Sequence, residues 1–121
     1  MRRAFLLVDH GSKREEANAQ IGRVVSALRP RLPDDIVEAA HMEMAEPSIA
    51  VGIQRCAEAG AQTIVVCPYF LGQGRHTQES IPSLVAAAAA QHPGIEIQIG
   101  DPLGMAPQLL DVVEHWVAGS D

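Results

Sequence analysis

The 121-residue chain is 47% hydrophobic, 20% charged and only 3% aromatic, and carries a formal net charge of −6. That composition excludes disordered and fibrous classes and predicts one soluble globular domain whose core is aliphatic. The acidic balance and the scarcity of aromatic rings argue against nucleic acid as a partner, whether held by its phosphates or by stacking.

The first apolar run, Ala4 to Val8, is shorter than the roughly 7–15 apolar residues of a secretory signal. The run Leu84 to Ala90 is far below the ~20 residues that span a bilayer. Cys56 and Cys67 lack metal-type or redox-type spacing and fall on apolar segments. They are expected as small core side chains in a reducing cytoplasm.

Ala4 to Val8 is continuously apolar, as in a strand covered on both faces. The loop His10-Gly11-Ser12-Lys13 follows. Ala17, Ile21, Val24, Val25 and Leu28 then recur at helical spacing until Arg29-Pro30 closes the helix. Asp35 to Met44 reads as a second strand, and Pro47 sits where a helix can start. Ile49, Ile53, Cys56 and Ala57 line one face before Gly60 ends that helix. Thr63 to Cys67 is a third, β-branched strand, and Pro68 closes it.

Tyr69 to Thr77 reads as a glycine-containing loop, and a helix beginning near Gln78 to Pro82 runs through the alanine tract to His92-Pro93-Gly94. Ile95 to Ile99 alternates strictly, which marks an edge strand with one wet face. Pro107 to Val117 is the last helix. The order βαβαβαβα predicts a single α/β domain over residues 1–121, with a four-stranded parallel sheet and helices on both faces.

Ligands of such sheets bind beyond the carboxyl ends of the strands. His10, Glu43 and His76 fall at the ends of the first three strands, 33 residues apart in each step. Successive strands therefore deliver two imidazoles and a carboxylate to one rim. That set suits a divalent metal, and the same groups can act as general bases. Lys13 and Arg14 lie just past His10, and Arg75 precedes His76, so a local positive mouth for an anionic ligand is expected in an acidic chain. Gly72-Gln73-Gly74 can offer backbone N–H groups to carboxylates. His41 is read as packed or supporting, His92 as a helix-end residue, and His115 as a surface residue. Met42 and Met44 are expected to point away from Glu43 as core filler.

Three stretches together resemble the short sirohydrochlorin chelatases, class II enzymes of cobalamin and siroheme synthesis. They are His10-Gly11-Ser12 after an apolar strand, the segment Met42 to Ile49, and Pro68-Tyr69-Phe70-Leu71 with Gly74-Arg75-His76 and Ile81-Pro82. The likeness spans the chain and includes Asp101-Pro102-Leu103-Gly104. It implies insertion of a divalent metal (Co²⁺, Fe²⁺ or Ni²⁺) into sirohydrochlorin with release of two protons. The metal is then a substrate, and no cofactor is permanently bound.

The resemblance also implies site roles. His10 and His76 are metal ligands, His10 doubles as proton acceptor, and Glu43 is their acidic partner as metal ligand or base. Ser12, Glu46 and the loop Leu71, Gly72, Gln73, Gly74 and Arg75 contact the tetrapyrrole, with Lys13 and Arg14 beside them. The family often has Asp directly before Ile-Pro; here Ser80 stands there, preceded by Glu79, so no role for an acid at that position carries over. A homodimer is expected, because the macrocycle is wider than one such rim. The alternative is a non-catalytic carrier of metal or tetrapyrrole. A histidine phosphatase would need Arg before its histidine, where Asp9 stands.

Overall fold

The computed structural model describes residues 2–72, 74–104 and 106–119, with the side chain of His76 outside that set. The elements are β1 (Arg3–Asp9), α1 (Glu15–Leu28), β2 (Ile36–His41), α2 (Ile49–Glu58), β3 (Thr63–Pro68), α3 (Arg75–Ala89), β4 (Glu96–Ile99) and α4 (Pro107–Gly119), with a 3-10 turn over Arg29–Arg31. All strand pairs are parallel and the sheet order is β2-β1-β3-β4. This is the expected α/β architecture.

Strand alternation divides the core in two. Ala4, Leu6 and Val8 face α2 and α3, where Ile49, Ile53, Ile64, Val66, Ile81 and Val85 complete an aliphatic cluster. Phe5 and Leu7 face α1 and meet Ile21, Val25 and Val37. Leu6, Ile49, Ile53, Ile64 and Ile81 are among the largest fully buried side chains. Burying each such side chain is worth roughly 1.5–3 kcal/mol. Cys56 lies inside the first cluster, and burial pushes its thiol up to about 12. Both cysteines are unpaired. No helix of the described residues is long and apolar enough to cross a membrane.

Two expected boundaries move. β2, expected to run to Met44, ends at His41, because the chain turns there through Met44 at φ 69°. That turn also corrects the reading of the two methionines: Met42 is buried at 6% exposure, but Met44 is 62% exposed. α3 starts at Arg75, ahead of the expected start near Gln78 to Pro82, and Pro82 lies inside the helix. Helix α4 was foreseen in extent, yet it has no buried residue.

Candidate active site at the carboxyl rim of the sheet

β1 is central, so its carboxyl end is held from both sides. Tyr69 N–H donates to the Val8 carbonyl at 2.7 Å, and Met42 N–H to the Asp9 carbonyl at 2.9 Å. The lateral pairing then continues past β2: Glu43 N–H donates to the His10 carbonyl at 3.1 Å. His10 and Glu43 are thus fixed side by side on the rim by backbone bonds, and both are exposed. The His10 ring lies 4.8 Å from the Phe70 ring, tilted by 42°. His76 falls in the first turn of α3; its side chain lies outside the described residues, and among those residues no three metal-ligating side chains converge.

Gly11 makes the approach of the two loops possible. It sits at φ +86°, and a Cβ there would fall 1.8 Å from the Glu43 carbonyl oxygen. Only glycine satisfies both the angle and the contact. Ser12 then commits its backbone to Asn18: its N–H donates to Asn18 Oδ1 at 2.9 Å, and Asn18 Nδ2 donates to its carbonyl at 2.8 Å. The Ser12 hydroxyl accepts from Arg14 N–H at 3.0 Å. These bonds tie the His-Gly-Ser loop onto α1.

Beneath the rim, the sequence undervalued one pair. Asp9 and His41 are in-register partners across β1 and β2, and Asp9 Oδ1 lies 2.6 Å from Nδ1 of the buried His41 ring. The supporting role read for His41 fits this contact. Asp9 carried no signal beyond its place before His10. Asn18 carried none, because its partner lies six residues away with no periodic relation.

The remaining candidates spread along the rim. Lys13 and Arg14 are exposed beside the loop. Glu46 is exposed, precedes a cis bond to Pro47, and accepts Ser48 N–H on Oε1 at 3.3 Å. Leu71 is 68% exposed, and Gly72 and Gly74 are open, with nothing near where a Cβ would stand. Gly74 caps α3, its carbonyl accepting the Thr77 hydroxyl at 2.9 Å. Gln73 lies outside the described residues. Arg75 Nε donates to Glu79 Oε1 at 3.3 Å, both side chains well exposed. An open groove of about 460 Å³ runs between Met42-Glu43 and the Glu79, Ser80, Ser83 and Leu84 side of α3. A second recess of about 230 Å³ lies beside His10, lined by Asp9, Ser12, Asn18 and Tyr69.

The parallel four-stranded unit thus sets an imidazole and a carboxylate side by side at its carboxyl rim. The chain belongs to the CbiX family, whose model matches residues 4–119. Among its relatives is the chloroplastic sirohydrochlorin ferrochelatase of Arabidopsis thaliana, 46% identical over 93% of this chain and 50% of the relative. The sirohydrochlorin cobaltochelatase of Methanococcus aeolicus is 27% identical over 97% of this chain and 99% of its own length. The solved sirohydrochlorin chelatase SirB of Bacillus subtilis subspecies spizizenii, in complex with cobalt, superimposes with a TM-score of 0.86 at 29% identity, over 98% of this chain and 51% of SirB. The chain spans about half the length of several relatives it matches.

Proposed function

We propose that this chain inserts a divalent metal into sirohydrochlorin, releasing the two pyrrole N–H protons. The observation that carries the reading is the bridged rim, where the Glu43 N–H to His10 carbonyl bond sets an imidazole and a carboxylate side by side at the ligand end of a parallel sheet. Relatives named ferrochelatase and cobaltochelatase support it.

The metal is substrate. His10 and His76 hold it as neutral imidazoles, with Glu43 as third ligand or as acceptor of a pyrrole proton. Exposed ligands suit an ion that must be surrendered. General-base help is worth about 10²–10⁴ in rate. Leu71, Met44 and Leu84 offer exposed apolar surface along the rim for the faces of the macrocycle. Lys13, Arg14 and Arg75, with the open backbone of Gly72, Gln73 and Gly74, take its carboxylates, and Ser12 and Glu46 border the same mouth. The partner is thus an anionic tetrapyrrole, with neither nucleic acid nor membrane involved. Two unpaired thiols suit a reducing compartment such as the cytoplasm.

We further read the active form as a homodimer. Relatives that share the activity name include chains of about this length and chains about twice as long, and a second copy supplies the matching half.

The test is an anaerobic sample of sirohydrochlorin given Co²⁺, Fe²⁺ or Ni²⁺ with and without the protein, followed by absorbance. Acceleration above the uncatalysed rate with at least one metal is the expected result. Binding of sirohydrochlorin with no acceleration for any metal would make the protein a carrier and refute the chelatase reading.

A further inference from the structure

The loops that carry His10 and Glu43 spring from adjacent strands. His10 follows Asp9, the last residue of β1, and the 42–47 loop leaves β2 at His41. That second loop also returns to His41. The His41 N–H donates to the Pro47 carbonyl at 2.8 Å, and His41 pairs with Ser48 in an isolated parallel bridge. Glu43 and Glu46 therefore stand on an excursion whose two ends meet at one residue.

Asp9 and His41 are the last partners of the β1–β2 ladder. Just past them, the Met42 N–H donates to the Asp9 carbonyl and the Glu43 N–H to the His10 carbonyl. The two side chains meet as well, with His41 Nδ1 2.6 Å from Asp9 Oδ1. An ionised carboxylate only accepts, so the proton of this bond sits on Nδ1. The His41 side chain is 5% exposed and that of Asp9 21%. The bases of both loops are thus joined by a side-chain bond in addition to the backbone.

Packing alone does not call for an imidazole here. Ala40 and Met42, on either side of His41, are buried and apolar, and an aliphatic residue would need no polar partner. What the imidazole adds is direction, because a hydrogen bond to an ionised acceptor is short and strong. The space around it is tight: the Cβ that Gly11 lacks would fall 3.2 Å from the His41 Cβ. A shift at either base is therefore passed to His10, one residue from Asp9, and to Glu43, two residues from His41.

We propose that the Asp9–His41 pair positions the metal site, holding the His10 loop and the Glu43 loop at the separation one divalent ion can bridge. The inference rests on the chelatase reading above and adds to it His41 as a buried positioning residue. Groups that orient metal ligands in this way are worth about 10–100-fold in metal affinity or activity. The tetrapyrrole carboxylates are assigned to Lys13, Arg14 and Arg75, so the effect falls on metal and turnover and spares the affinity for the macrocycle.

The test compares the wild type with two variants that break the bond, His41→Leu and Asp9→Ala, and two that keep it, His41→Asn and Asp9→Asn. Asparagine at 41 offers an Nδ2–H near the place of Nδ1, and asparagine at 9 retains an Oδ1 acceptor. Each is measured where far-UV circular dichroism shows it folded, so a loss of stability moves neither readout. The first readout is the dissociation constant for Co²⁺ without sirohydrochlorin, followed by visible d–d absorption. The second is kcat and KM for anaerobic cobalt insertion. The breaking variants are expected to bind Co²⁺ about tenfold more weakly and to lose about tenfold in kcat, with KM for sirohydrochlorin within about twofold. Both asparagine variants should recover to within about threefold of the wild type. Breaking variants that keep the wild-type Co²⁺ affinity and kcat, or that change only KM for sirohydrochlorin, would overturn the positioning role. So would folded asparagine variants as impaired as the breaking ones. A wild type that neither binds Co²⁺ nor accelerates insertion would overturn the chelatase reading and this inference together.

Discussion

Gly11 is the residue on which the rim depends most. A side chain there meets both an unfavourable backbone angle and a carbonyl oxygen at 1.8 Å, so either β1 or the loop after β2 must retreat. Left-handed strain alone costs about 1–3 kcal/mol. Gly11→Ala is predicted to lose at least that much in a urea melt and to cut metal insertion more than tenfold, because His10 and Glu43 part. Asp9 is predicted to act through His41: Asp9→Ala leaves a buried imidazole nitrogen without its acceptor and costs about 1–3 kcal/mol. Asp9→Asn, which keeps an acceptor oxygen, should recover most of that stability in the same melt. Little of this was visible beforehand. His10, Glu43 and Gly11 announce themselves by type and place, whereas Asp9 gains meaning only once the register sets it opposite His41.

At the scale of elements, the strands were legible because uninterrupted β-branched and aliphatic runs leave few alternatives, and β4 showed its edge position by strict alternation. Helix starts were harder. The start of α3 rests on Gly74, which has no side chain to cap the helix and so leaves no sequence signal there. α2 has the clearer signal: Ser48 accepts Val51 N–H at 3.2 Å, and Ser48→Ala is predicted to cost about 1 kcal/mol in a urea melt. Cys56 on α2 sets a limit on alkaline stability. Its folded thiol titrates near 12, above the ordinary value of 9.0, because burial penalises the thiolate. The folded state therefore holds this proton more tightly than the unfolded one. Its contribution is complete below pH 9 and is lost as pH rises from 9 towards 12. Urea melts should show that decline, and Cys56→Ala should reduce it, the rest coming from Cys67, whose thiol burial also pushes up.

For the whole molecule, charge and substrate oppose one another, since a chain at −6 must capture a polycarboxylate. Arg75 is free to help despite its bond to Glu79, because a pair this exposed contributes at most about 1 kcal/mol. Arg75→Glu is predicted to raise KM for sirohydrochlorin several-fold while leaving the dependence on metal concentration unchanged. The difference should shrink as salt rises and the Debye length falls from about 10 Å at 0.1 M to about 3 Å at 1 M. The packing of the sheet was readable from pattern, but the stand-off of α4 was not, since its amphipathic sequence suits a groove in its own or another molecule equally well. The most direct test of the account is the single-turnover rate of cobalt insertion into sirohydrochlorin by wild type, His10→Ala and His76→Ala, each confirmed as folded. The wild type should be at least a hundredfold faster than either variant; equal rates for all three would contradict a metal site built on His10 and His76.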